Sequence, residues 1–189
     1  LGWKPCVGDY GLLAPLYAHL GRDPYPASLM QQRAPRVYRW VERMNRPDQD
    51  VPEFFTPGTD FLNNDEIPET LMAVLRAVAE DFVPETRAAA GVINHWLAQQ
   101  QPEAGAAAVG RLGNLLGRAE FTVRGHTFTA LASPYRFYLL QRVHAIYAGL
   151  PLDEQASVEQ MLQACGMHEM LSIKLDRSIG RADNLEVWQ

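Results

Sequence analysis

The chain has 189 residues, a mass of 21.2 kDa and a net charge of −5, with 47 % apolar and 21 % charged residues. That length fits one domain or slightly more, and a fold of this size buries about 70 % of its unfolded surface, enough for a core without staples. The composition excludes long disorder, collagen and coiled-coil rods, no run approaches the roughly 18 uncharged apolar residues of a membrane span, and the acidic balance disfavours nucleic acid as a partner.

The chain begins at Leu1 with neither a basic segment nor an apolar run behind it, so no signal peptide is expected and the natural N-terminus is expected upstream. The two cysteines, Cys6 and Cys165, lie in no CxxC pair and no zinc-type spacing, which points to free thiols in a reducing compartment; a disulfide between them stays open at this level.

Taken in order, Leu12, Leu13, Leu16, Tyr17 and Leu20 recur at helical spacing and predict a helix over 9–20, stopped by Gly21. Asp23-Pro24-Tyr25-Pro26 predicts a stiff extended loop, and Ser28 a cap for a short turn through Gln32. Pro35 opens a helix to about Asn45, with Val37, Trp40, Val41 and Met44 as its buried stripe. From Arg46 to Asn64 the prolines, Gly58 and three phenylalanines predict an irregular connector laid over an apolar surface.

Asn64 to Pro68 is a helix-start signal, and Leu71, Val74, Leu75, Val78 and Phe82 continue the period until Pro84, where a kink or break is expected. A further helix to Gln99 turns Val92, Ile93, Trp96 and Leu97 inward, followed by an Ala/Gln/Gly stretch to Ala108 that reads as a solvated connector, with a helical extension through its alanines left open, and a short helix ending at Gly117. The period then changes to two. Glu120–Val123 and His126–Thr129 flank Arg124-Gly125, which predicts a hairpin. Ser133-Pro134 opens a helix from Tyr135 to Ala148, Asp153 caps another to Ala164, and a turn over 168–175 leads into an irregular tail.

Pro5-Cys6-Val7-Gly8-Asp9-Tyr10, with Leu13, Pro15, Leu16 and Tyr17, resembles the sixth helix of the glutathione S-transferase C-terminal domain. Ala34 to Met44 resembles the helix after it. The family's motif is Ser or Thr, two residues, then Asp, a reciprocal capping box in which the aspartate reaches back to the cap's N–H. Asp9 matches it. Cys6 stands at the cap, where sulfur is a poor acceptor, a departure that weakens the box by up to about 1 kcal/mol. Phe121 through Tyr147 is similar to a C-terminal extension of some bacterial transferase-like proteins, through the hairpin glycine, Ser133-Pro134-Tyr135 and Leu140-Gln141-Arg142.

The resemblance implies a mostly α fold: a helical bundle like the later helices of that C-terminal domain, with an extension carrying a small β-hairpin. It divides the chain into transferase-like helices over 1–45, a connector over 46–64, and a helical extension over 65–189 with its hairpin near 120–129. In the family, glutathione and the residue that activates its thiol belong to a thioredoxin-like N-terminal domain. Nothing in this sequence matches that domain. The resemblance therefore implies a cytoplasmic part of a glutathione S-transferase-like protein that supplies apolar substrate-side walls. It implies no catalytic residue and no cofactor in this chain, glutathione for the intact parent, and capping roles for Cys6 and Asp9. The implied partners are the thioredoxin-like domain or another protein chain, with homodimerisation open and neither nucleic acid nor membrane expected. The alternative is a stand-alone, non-catalytic helical module that binds a partner protein or an apolar ligand.

Other residue clusters read as structure. Arg36, Arg39 and Arg43 form a helix-face stripe that reads as solvated rather than as an anion grip. His19, His95, His126, His144 and His168 share no metal spacing, and Ser133 and Ser157 lack a nucleophile-elbow context. Tyr135, Phe137, Tyr138 and Tyr147 read as core rather than as a pocket wall.

Overall fold

The computed structural model describes residues 5–46, 62–63, 66–108 and 116–189. Among the described residues the fold is mostly helical, about 61 %, with six α-helices, shorter turns and two small two-stranded antiparallel sheets. The chain gathers into two compact units, Leu1–Ile67 and Pro68–Gln189. The expected connector falls mostly outside the described residues, as do Leu112 and Leu115 of the expected short helix.

In the first unit, α1 spans Val7–Pro15 and runs on as a π-helical turn, Leu16–Leu20. The widening follows Pro15, which has no N–H for the carbonyl of Gly11 and crowds it with its ring. The expected loop at Asp23–Pro26 is instead the start of a helix, α2, Pro24–Arg33. Pro24 takes the first helical position, where a missing N–H costs nothing. Ser28 lies within α2 and accepts from Gln32 Nε2 at 3.0 Å. Ala34, held out of the helical region by the proline after it, separates α2 from α3, Pro35–Met44. Of the stripe expected on α3, Val41 is fully buried, Trp40 and Met44 are half-buried, and Val37 is exposed.

The second unit is built on α4, Glu69–Gln100, a 32-residue helix that passes through Pro84 without breaking. One missing backbone hydrogen bond and a crowded carbonyl cost about 3 kcal/mol. Burial of Val83 and Thr86 on either side, with the stripe they belong to, offsets that cost. The stripe comprises Met72, Ala79, Val83, Thr86, Ala89, Ala90, Ile93 and Leu97. It lies to one side of the expected one in the first half of the helix, where Val74 and Val78 stay exposed. The apolar residues there occur on two faces, and period alone does not choose between them. Ile93 and Leu97 are buried as expected, with Val92 and Trp96 packed at the core's margin.

The hairpin forms where the alternation places it. Strand β1, Arg118–Val123, pairs with β2, His126–Leu131, in a register that sets Phe121 opposite Phe128. Arg124 and Gly125 both have positive φ, 50° and 79°, as a type I′ turn requires. Helix α5, Pro134–Ala148, and α6, Leu152–Ala164, follow. Asp153 sits in the first turn of α6, and Pro151 rather than Asp153 occupies the cap. A 3-10 turn, His168–Leu171, follows.

Two expected coil regions are corrected. The tail forms a second hairpin, β3, Ile179–Ala182, with β4, Leu185–Trp188, turning on Asp183 and Asn184 at φ 49° and 63°. The connector after α4 is not solvated throughout. Gly105 and Ala108 donate backbone N–H groups to Trp188 O and Glu186 O, both at 2.8 Å, and Trp188 donates to Ala106 O at 2.9 Å. The small alanines let this segment lie flat along β4, and Ala108 is buried.

Polar ties from α4 and α5 fix the rest of the unit. The Arg136 guanidinium at the head of α5 stacks over the Phe82 ring at 5.1 Å, donates to Thr86 Oγ1 at 3.2 Å and pairs with Glu85. Arg87 grips both oxygens of Glu169, and its hydrogen bonds hold the Glu169 carboxyl below the usual range. Asn94 donates to Lys174 O and accepts from the Asp176 N–H. His144 Nε2 donates to Met170 O at 2.7 Å, and the Tyr147 hydroxyl donates to Glu159, joining α5 to α6.

Candidate functional site

Beside the second half of α4 lies an open groove with a cavity volume of about 430 Å³. Ala88, Gly91, Val92, His95, Trp96 and Gln99 form one wall, at spacings of three and four that place them on one helix face. Leu116 and Glu120 line the other side. Gly117 brings this side close. A Cβ there would meet Val92 Cγ1 at 2.7 Å, so only glycine lets the backbone approach α4 this tightly. At Gly91 the reverse holds: a Cβ would meet nothing within 4 Å, which leaves the groove floor open.

The walls are apolar and the rim is polar. Trp96 stacks on Trp188, with ring centroids 6.0 Å apart and an interplanar angle of 28°. Trp188 is fully buried, and its Nε1–H has no hydrogen-bond partner among the described residues. Gln99 Nε2 lies 2.9 Å from His95 Nε2, so the amide donates and the ring nitrogen accepts. Such a surface can bury an apolar group against Trp96, Val92 and Leu116 while His95, Gln99 and Glu120 address a polar end. Among the described residues the groove lining holds no serine, cysteine, lysine or tyrosine, and its titratable side chains are His95 and Glu120.

A smaller cavity, about 300 Å³, lies at Arg76, Ala79, Glu80, Ala164, Cys165 and Gly166. The Cys165 thiol is buried there and donates to Leu162 O at 3.5 Å. Arg76 is engaged by Glu69 Oε1 at 2.5 Å and by Ala164 O at 3.1 Å.

The residues singled out in the sequence are dispersed. Asp9 is buried at the start of α1, where its Oδ2 accepts from the Cys6 N–H at 2.9 Å. Burial pushes its carboxyl up, and hydrogen bonds, among them those from the Cys6 backbone and thiol, outweigh that and hold it below the ordinary value. Among the described residues no three His, Cys, Asp or Glu side chains converge as a metal site. Ser133 stands at the cap of α5 without a side-chain cap bond, and Ser157 Oγ donates to Asp153 O within α6. Of the aromatic set on α5, Phe137 is core, while Tyr135 is exposed and stacks on Tyr138 at 6.1 Å. Arg39 and Arg43 are engaged rather than free cations.

The groove was missed as a site in the sequence because its wall residues carry an ordinary apolar period. Only the polar His95 and Gln99 set into that face mark it. Among the described residues, no helix is long and apolar enough to cross a membrane. No protein-family model matches the chain, and no curated protein or solved structure is significantly similar to it.

Proposed function

We propose that this chain is the C-terminal helical part of a glutathione S-transferase-like protein, and that it supplies an apolar wall for a ligand without holding glutathione. The observation that carries this reading is the α4–β1 groove, where an apolar floor meets a polar rim of His95, Gln99 and Glu120. The Cys6–Asp9 contact at the head of α1 is the geometry that the family's capping motif calls for. On this reading glutathione, and the group that lowers its thiol pKa, belong to a thioredoxin-like domain of the intact parent. The pure chain is then inert. Conjugation of glutathione to a chromogenic electrophile is expected to proceed at the buffer rate in its presence. Turnover above buffer that scales with protein concentration overturns the reading.

A second reading is favoured by one feature. Tyr135, Leu139, Val143 and Ile146 form a stripe along α5 with exposures of 42–70 %. Such a stripe suits a stand-alone helical module that binds a partner protein. The intact mass of the native protein separates the two. A mass well above 21.2 kDa favours the transferase-like parent, and a mass near it favours the module.

A further inference from the structure

We infer that the outer edge of β2 pairs with the same edge of a second copy, joining two hairpins into one four-stranded antiparallel sheet. The register decides which backbone groups are free. In a two-residue hairpin the pair flanking the turn, Val123 and His126, is hydrogen-bonded, and so are Phe121–Phe128 and Ala119–Ala130. The bond from Ala132 N to Gly117 O, 3.0 Å, continues the same phase. Thr127, Thr129 and Leu131 therefore turn their N–H and C=O groups away from β1, and among the described residues no backbone partner is present for them.

Free strand edges are normally guarded by a lysine, a proline or an inward charge. His126-Thr127-Phe128-Thr129-Ala130-Leu131 carries none of these. The nearest charged side chain at the turn, Arg124, is engaged by Glu80 at 2.7 Å. An uncharged edge puts no like charges opposite each other when it meets its own copy.

The edge is also self-complementary. With Thr129 on a twofold axis, Thr129 faces Thr129 of the second copy, and Thr127 faces Leu131. All three outward residues then find backbone partners, and the axis carries a favourable threonine pair. On the opposite face Phe128 falls beside Ala130 of the second copy, a large side chain beside a small one. Phe128 is 49 % exposed although it stacks on Phe121 at 6.0 Å, so its ring has a free side to cover that alanine.

The test uses the whole chain. Sedimentation equilibrium is expected to give a mass near twice 21.2 kDa, and amide exchange is expected to protect the N–H groups of Thr127, Thr129 and Leu131. Thr129→Pro removes an outward N–H and leaves the β1–β2 bonds intact, because proline is tolerated where the N–H faces out. It is expected to weaken dimerisation at least ~10-fold. Thr127→Lys, which adds a guarding charge without constraining the backbone, is expected to act the same way. A monomeric wild type, a dimer whose Thr129 N–H exchanges freely, or a dimer unchanged by either variant each overturns the inference. The last two assign the contact to another surface.

Discussion

Trp188→Ala is expected to destabilise the second unit by about 3–5 kcal/mol, the range for deleting a large buried aromatic. Trp188 is fully buried, stacks on Trp96, and belongs to the cluster that includes Ile93, Leu97, Phe137 and Ile179. Domains of ordinary stability have roughly 5–15 kcal/mol in total, so the variant is left close to unfolding. Trp188→Phe separates packing from polarity. It keeps most of the ring contact and removes an N–H that has no acceptor among the described residues. A buried unpaired donor costs about 1–3 kcal/mol, so its removal offsets part of the lost volume. Urea unfolding should place the phenylalanine variant well above the alanine variant in midpoint, at an unchanged slope. Equal losses for both variants would mean that the ring is not packed as described.

Gln141→Ala is expected to cost about 2–4 kcal/mol, more than an average surface change. The Gln141 amide holds β3 from α5 at both ends of one residue. Its Nε2 donates to Ile179 O, and its Oε1 accepts from the Ile179 N–H at 3.1 Å. Ile179 is 1 % exposed, so truncation leaves a donor and an acceptor buried and unpaired. Gln141→Glu sharpens this expectation. The ionised carboxylate still accepts from the N–H but faces the carbonyl with a second acceptor, which raises its folded pKa above the unfolded value. Its stability is then fullest below the unfolded pKa and is lost as pH rises through the folded pKa. Denaturation across that range should show the glutamate variant gaining on wild type as the solution is acidified. A flat difference would remove Gln141 from its clamping role.

Local structure was legible in the sequence and nonlocal structure was not. Arg124-Gly125 between alternating segments specified the first hairpin, because two consecutive positive-φ positions are a local demand. Asp183-Asn184 makes the same demand, but four-residue strands give too little alternation to stand out, so the tail read as coil. Pro24 and Pro84 misled in opposite ways. One opens a helix where its missing N–H is harmless, and the other sits inside a helix whose packed stripe outweighs the lost bond. The choice of the buried face of α4 was also nonlocal, decided by which side β1 and the C-terminal strands cover. The groove depends on that choice and on the close approach at Gly117, neither of which has a signature in the spacing of residues.

Whether the groove takes an apolar group is tested most directly by a fluorescence titration of the full chain with anilinonaphthalene sulfonate. Trp96 lines the groove, so binding should quench indole emission as probe emission rises. Gly91→Leu supplies the control. Its side chain enters open space, replaces a mid-helix glycine with a better helix former, and fills the floor. The expected result is saturable binding to the wild type, weakened at least ~10-fold in Gly91→Leu, with no fall in the variant's melting temperature. Equal probe affinity for the two proteins would contradict an apolar site at the groove and move the binding surface elsewhere.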